Sequence, residues 1–217
     1  MPDFAAARHH MVQNQLEPNR VNDMRVAAAM EAIPREKFVP EAMSGVAYLD
    51  EDIEIAPGRY LMEPMVFARM LQSAGTEGGE VALDIGCVTG YSAAVLANLV
   101  GTVVAVEADE DLAAKATENL TALEADNAVA IVGNHAEGYA KQAPYDIIMV
   151  EGQISEVPAS LTDQLAEGGR LVAVTGDGNV GRIVRITRSG DNLLHETMFD
   201  AMLPPLPGFE ASGGFVF

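Results

Sequence analysis

The sequence is short of cations, thiols and long apolar runs, and each shortage excludes something. Its 13 basic residues face 32 acidic ones, only Lys37, Lys115 and Lys141 are lysines, and the formal net charge is −19. A field of that sign repels polyanions, which argues against nucleic acid and anionic lipid as partners; the acidic excess reads as a solvated surface. The single cysteine, Cys87, rules out an internal disulfide framework and suits a reducing compartment, so a cytoplasmic location is expected. No apolar run reaches the ~18–20 residues that span a bilayer. The opening Met1-Pro2-Asp3-Phe4 lacks the basic and apolar regions of a signal peptide. His9, His10, His135 and His195 form neither H-x-x-x-H nor H-E-x-x-H, and none has metal spacing with the cysteine, so no metal is expected. With no histidine near it in sequence, Cys87 reads as a small buried turn residue rather than a nucleophile.

What is present is enough for one domain: 217 residues, 49% hydrophobic. Asp3 can cap a helix through about Leu16, with Phe4, Met11 and Leu16 as core contacts. Asp23 can cap a second, Met24 to Ile33, stopped by Pro34. Residues 35–49 read as a mixed stretch with a short turn of helix. The acidic segment 50–58 ends in a turn at Ala56-Pro57-Gly58. Pro64 opens a helix that Gly75 closes. From residue 80 strands and helices alternate, with strands at 80–85, 102–107, 128–132, 145–150 and 170–175 and helices at 91–99, 109–124 and near 158–166. Ile147-Ile148-Met149-Val150 lacks period-2 alternation, as expected of a strand buried on both faces. The pattern predicts an α/β fold with a mostly parallel, doubly wound sheet and right-handed crossovers. Turn clusters at Gly176-Asp177-Gly178-Asn179 and Ser189-Gly190-Asp191-Asn192 predict antiparallel strands at the C-terminal end. Residues 1–75 read as a helical extension packed on the same domain, and 76–217 as the nucleotide-binding part.

The chain is organised around Val81-Ala82-Leu83-Asp84-Ile85-Gly86-Cys87-Val88-Thr89-Gly90-Tyr91, a strand, glycine turn and helix that can cradle a nucleotide. A dinucleotide would require G-x-G-x-x-G, but the frame reads Gly86, Val88, Tyr91. The pattern present is Asp84-x-Gly86-x-x-x-Gly90. A carboxylate ending the strand would repel a pyrophosphate but can serve a cation, and S-adenosylmethionine carries a sulfonium and an amino group with no phosphate. Glu107 ends the second strand, where an acid can accept from both ribose hydroxyls. The plain alternative is that Asp84 and Glu107 only cap the helices that follow them.

Several blocks resemble the protein-L-isoaspartate O-methyltransferase family: Met11-Val12-x-x-Gln15-Leu16, Ala29-Met30-x-x-Ile33-Pro34-Arg35-Glu36-x-Phe38-Val39-Pro40, Ala47-Tyr48-x-Asp50, Gly86-x-x-x-Gly90-Tyr91-x-Ala93-Ala94-Val95-Leu96-Ala97 and Gln164-Leu165-x-x-Gly168-Gly169-Arg170-Leu171-Val172. The resemblance implies a Rossmann-like class I methyltransferase fold, S-adenosylmethionine as cofactor, a protein or peptide carboxylate (isoaspartate) as acceptor, and a monomer. It implies cofactor contacts at Asp84, Gly86, Cys87, Gly90 and Tyr91, at Glu107 and Ala108, at Asn134 and His135, and at Glu151. It places the acceptor loop within residues 1–75, at Gly58-Arg59-Tyr60-Leu61-Met62-Glu63-Pro64, where the family has a motif similar to Gly-Gln-Thr-(Ile/Val)-Ser-(Gln/Ala)-Pro. Arg59, Tyr60 and Met62 therefore stand at the catalytic loop positions without its hydroxyls, and Glu63 is acidic. Arg59 can pair bidentately with a carboxylate, although a loop arginine more often faces solvent. Val88 replaces a glycine, and a β-branched residue disfavours positive φ if the turn needs it there. Gly133-Asn134-His135 replaces Gly-Asp-Gly, with Asn134 able to accept from an adenine amine, and Glu151-Gly152-Gln153 replaces a small-residue stretch. These departures leave two other readings open: a methyltransferase with another acceptor, or a catalytically silent S-adenosylmethionine-binding protein.

Overall fold

The computed structural model describes residues 3–177 and 180–209. The turn expected at 176–179 thus lies partly outside the described residues. The N-terminal helices start where the capping acids stand. Asp3 accepts from the Ala6 N–H at 3.0 Å and opens α1 (Phe4–Met11), which runs on as a π-helix over Val12–Leu16. Asp23 accepts from Arg25 N and opens α2 (Met24–Ala32), two residues before Pro34. Tight helical turns follow at Arg35–Phe38 and Glu41–Val46. The acidic segment differs from expectation: β1 (Ile53–Ala56) and β2 (Arg59–Leu61) form an antiparallel hairpin across Pro57-Gly58. Then α3 (Pro64–Ala74) begins at its proline and ends on Gly75 at φ 60°.

The alternating part comprises β3 (Val81–Ile85), α4 (Tyr91–Ala97), β4 (Thr102–Glu107), α5 (Glu110–Ala122), β5 (Ala128–Val132), β6 (Tyr145–Ile154), α6 (Ala159–Thr162) and β7 (Leu165–Gly176). An antiparallel pair, β8 (Gly181–Ser189) and β9 (Asn192–Asp200), completes a seven-stranded sheet of order β5-β4-β3-β6-β7-β8-β9. Strands β3 to β7 are parallel, and β8 turns against β7. Two boundaries depart from expectation for one reason. Tyr145 N donates to Gln164 O, and the Gln164 side chain donates to Glu137 O and accepts from Tyr139 N, which draws the chain into the sheet early. Helix α6 is therefore only four residues long and β7 begins before the glycine pair. Tyr145 pairs with Leu165 and Ile147 with Arg170, so residues 166–169 bulge opposite Asp146.

Both faces of the sheet are covered. Ala82, Val103, Ala105 and Met149 pack with Met11, Leu16, Met30, Phe67 and Val95, so the N-terminal helices share one core with α3 and α4. Leu83, Ile85, Val104, Ile148 and Val150 point the other way, onto Leu161 and Leu171. This explains the unbroken apolar strands, since each such buried side chain stabilises by about 1.5–3 kcal/mol. Among the described residues no helix is long and apolar enough to cross a membrane.

Candidate functional site

Strand β3 lies between β4 and β6, the place where strand order reverses and where the crevice beyond the carboxyl ends of an open α/β sheet takes ligands. Three acids converge there. Asp84 is fully buried; its Oδ2 accepts from Ser92 Oγ at 2.7 Å, and its Oδ1 has no hydrogen-bond partner. Burial pushes its carboxyl up to about 7, the Ser92 hydrogen bond opposes this, and the Glu107 charge adds to it. Glu107, at the tip of β4, accepts from the backbone N–H groups of Val88 (2.9 Å), Ala108 (2.9 Å) and Asp109 (3.2 Å). Burial alone would raise it, but the His135 hydrogen bond and the Arg59 guanidinium outweigh that and hold it at about 2. Glu107 is not a helix cap; Asp109 caps α5. Glu151 is aimed by a bulge: Met149 pairs with Val172 and Gln153 with Val174, so Val150, Glu151 and Gly152 stand opposite Ala173 alone. Glu151 Oε1 has no partner, and burial and the Asp84 charge push the carboxyl well up.

The turn between β3 and α4 divides its glycines by task. Gly86 sits at φ 84°, and a Cβ there would lie 2.9 Å from Leu206 Cδ1 and 3.3 Å from Arg59 Nη2. It is a close-approach position. Gly90 sits at φ 90°, and its Cβ would meet Ala116 of α5 at 3.1 Å, so its lack of a side chain serves close helix packing. Val88 does adopt positive φ, 52°, a strain of about 1–3 kcal/mol for a β-branched residue. Cys87 is buried with its thiol pushed far up by burial and by the Asp84 and Glu107 charges, consistent with an inert turn residue.

The loop at 58–64 differs from the expectation for Arg59. It does not face solvent: its side chain is 8% exposed, and Nη2 donates to Glu107 Oε2 at 2.6 Å. Met62 is buried and its carbonyl accepts from Arg35 Nη2 at 2.6 Å, while Tyr60 is half-buried between. Arg35 is fully buried, also donates from Nε to Ala47 O at 2.7 Å, and lies 4.8 Å from the centre of the Tyr91 ring. Tyr91 is thereby spent on an aromatic cluster with Phe38 and Phe67. Glu63 is raised to about 7 by burial, helped by the charges of Asp52 and Asp50.

A strap closes the crevice. Gln153 N donates to Pro204 O at 3.0 Å and Leu206 N to Gln153 O at 2.8 Å, and Leu206 lies over Gly86 and Gly152. The strap ends on His135, which is buried; its Nδ1–H donates to Pro207 O at 3.0 Å and its Nε2 faces the Ala108 N–H at 3.1 Å and Glu107 Oε1 at 3.4 Å. Asn134 points elsewhere: its exposed side chain accepts from Ala136 N and caps a local turn. The space left beside Gly86, Ser92 and Glu151 is ≈ 10 Å³, about what one water needs. Sequence reasoning missed Ser92, the buried role of Arg35 and the whole strap; Arg35 was visible only as part of a family block, and Leu206 gave no signal.

These features define a doubly wound class I methyltransferase fold, with its acids where a nucleoside and a cation would sit. A solved protein-L-isoaspartate O-methyltransferase superposes with a TM-score of 0.81 at 25% identity, covering 93% of this chain and 67% of that one. A Plasmodium falciparum structure described as a beta-aspartate methyltransferase, in complex with S-adenosyl-L-homocysteine, shares the fold at a TM-score of 0.80 and 23% identity, over 96% of this chain and 100% of its own. Among curated relatives, protein-L-isoaspartate O-methyltransferase 1 of Rhodopseudomonas palustris is 41% identical over 95% of this chain and 85% of its own length. The Herpetosiphon aurantiacus protein-L-isoaspartate O-methyltransferase is 36% identical over 93% and 90%. The sequence profile of protein-L-isoaspartate(D-aspartate) O-methyltransferase matches residues 6–206. The chain belongs to that family of S-adenosylmethionine-dependent enzymes.

The site's chemistry fits the family's cofactor. Asp84 Oδ1 and Glu151 Oε1 are buried and unpartnered, an arrangement a cationic ligand relieves, and Glu107 is ionised where a ribose would present its hydroxyls. The present occupants of the space, Arg59 and Leu206, must move for a ligand to enter.

Proposed function

We propose that this chain methylates isoaspartyl carboxylates of damaged proteins, as a cytoplasmic monomer, in the first step of their repair. Residues 1–75 then supply the acceptor side and 76–217 the donor side. The observation that carries the reading is the pair of unpartnered buried carboxyl oxygens, Asp84 Oδ1 and Glu151 Oε1, in the crevice that Gly86 borders beneath Leu206 and Arg59. When bound, S-adenosylmethionine supplies an electrophilic methyl group. An isoaspartyl carboxylate is ionised at neutral pH and needs no general base. The protein's part is alignment and exclusion of water. Asp84 and Glu151 would serve the cationic centre of the cofactor and Glu107 its ribose hydroxyls, while the buried Met62, Phe67 and Tyr91 would help exclude water from the transfer path. Arg35 fixes the loop by holding the Met62 carbonyl.

The test pairs two measurements on one preparation: calorimetric titration with S-adenosylmethionine, and transfer of labelled methyl to an isoaspartyl peptide. Binding together with transfer to the isoaspartyl peptide, and none to its normal aspartyl counterpart, is expected. Failure to methylate while a family enzyme succeeds in parallel would remove the reading.

A further inference from the structure

The acceptor side contains one cation that is already engaged. The pocket between the hairpin and the strap is lined by Asp52, Arg59, Tyr60, Met62 and Glu151, with Arg59 the only cation among its lining residues. Glu63 adjoins it in the loop. An anionic acceptor entering there meets carboxyl groups on several sides and needs a counter-charge. Arg59 lines that pocket yet spends its guanidinium on the other side, where Nη2 reaches Glu107 and stands over Gly86 in the donor crevice. Its fork is only half used, because Nε is buried without a hydrogen-bond partner. A guanidinium is built to bind a carboxylate through two parallel bonds.

Glu107, for its part, is not left without donors when Arg59 departs. It keeps three backbone N–H donors, from Val88, Ala108 and Asp109, whatever Arg59 does. Ribose hydroxyls can therefore replace the guanidinium at Glu107 without leaving the carboxylate bare. We propose that Arg59 is a ligand shared between the two sites: it occupies Glu107 while the donor crevice is closed, and is released to the acceptor's carboxylate when the donor's ribose takes Glu107. This rests on the carboxyl-methyltransferase reading and deepens it, because it assigns acceptor recognition to the residue that replaced the family's loop motif. It makes binding ordered. The acceptor gains its cation only after the donor site fills, and by linkage each ligand tightens the other.

Calorimetry with S-adenosylhomocysteine and an isoaspartyl peptide, on the wild type, Arg59→Gln and Arg59→Lys, tests this, with thermal melts to confirm that each variant is folded. In the wild type, saturating S-adenosylhomocysteine should tighten the peptide about tenfold, one charge-assisted hydrogen bond's worth. Arg59→Gln should bind S-adenosylhomocysteine more tightly than the wild type, having lost the internal competitor, and should bind the peptide weakly whether or not S-adenosylhomocysteine is present. Arg59→Lys, which keeps charge but not the fork, should fall between. Coupling that persists in Arg59→Gln, or weaker S-adenosylhomocysteine binding by that variant, overturns the proposal and leaves the function standing. A wild type that binds S-adenosylhomocysteine but never the peptide overturns the acceptor half together with the functional reading.

Discussion

Asp84 is a carboxyl that the fold holds at a cost, and the sign of that cost can be read from its shift. Its carboxyl rises from 3.8 to about 7 because burial disfavours the charge. Between those values the folded chain keeps a proton that the unfolded chain has lost, so on Asp84's account stability falls as pH rises from about 4 to about 7. Glu107 acts oppositely: lowered from 4.5 to about 2, it contributes stability above pH 4.5 that is lost as pH falls towards 2. Asp84→Asn removes the first term and leaves the second. The variant should match the wild type in thermal stability near pH 4, where Asp84 is largely protonated in the folded chain and its cost has yet to develop, and exceed it at pH 8, by on the order of 1–3 kcal/mol. It should bind S-adenosylhomocysteine more weakly at both. A variant no more stable at pH 8, or one that binds as the wild type does, would show that Asp84 is a packing residue. The trade of stability for a ligand site is the expected one where a buried acid waits for a cation.

At the scale of elements, the parts that were legible were those whose local chemistry and long-range packing agree. Capping acids at Asp3 and Asp23, the proline opening α3 and the all-apolar strands each state their structure locally, so these elements fall close to where the residues put them. The hairpin over 53–61 was not legible, because its strands are only four and three residues long, too short for the alternation of Ile53-Glu54-Ile55 to stand out. The bulge that aims Glu151 arises from pairing with β7 and has no local signature. Arg59 meets Glu107 across 48 residues of chain, which spacing arguments cannot reach. The strap is irregular, held by Gln153 and by Leu206 over two glycines. Because Leu206 occupies the crevice, ligand binding has to lift this segment. Hydrogen exchange followed by mass spectrometry should show faster exchange across 201–209 when S-adenosylhomocysteine is added, at sites such as the Leu206 N–H that now donates to Gln153. Protection of that segment by the ligand, the ordinary outcome, would mean that the strap is part of the bound state.

For the molecule as a whole, charge selects among acceptors. Seven arginines are committed to carboxylates of the chain itself, namely Arg8, Arg25, Arg59, Arg170, Arg182, Arg185 and Arg188. The net −19 therefore remains as an unscreened excess of acid over the surface. Most of these pairs are partly exposed and stabilise little, so the long-range field matters more than the contacts. Asp52 lines the pocket, and Asp50 and Asp52 accept from the backbone N–H groups of Met65 and Glu63 at the loop, so a positive peptide is drawn in while a negative one is repelled. Isoaspartyl peptides flanked by lysine should thus show kcat/KM about tenfold above those flanked by glutamate at ~20 mM salt, within the range electrostatic steering gives. The ratio should shrink towards one by ~1 M salt, where the screening length is only about 3 Å. The effect should reside in KM, because steering acts on encounter and leaves the aligned carboxylate and methyl donor unchanged. A preference that survives high salt would point to a direct contact with the flanking residue, and a reversed preference would mean that the peptide enters by a face the acids do not guard.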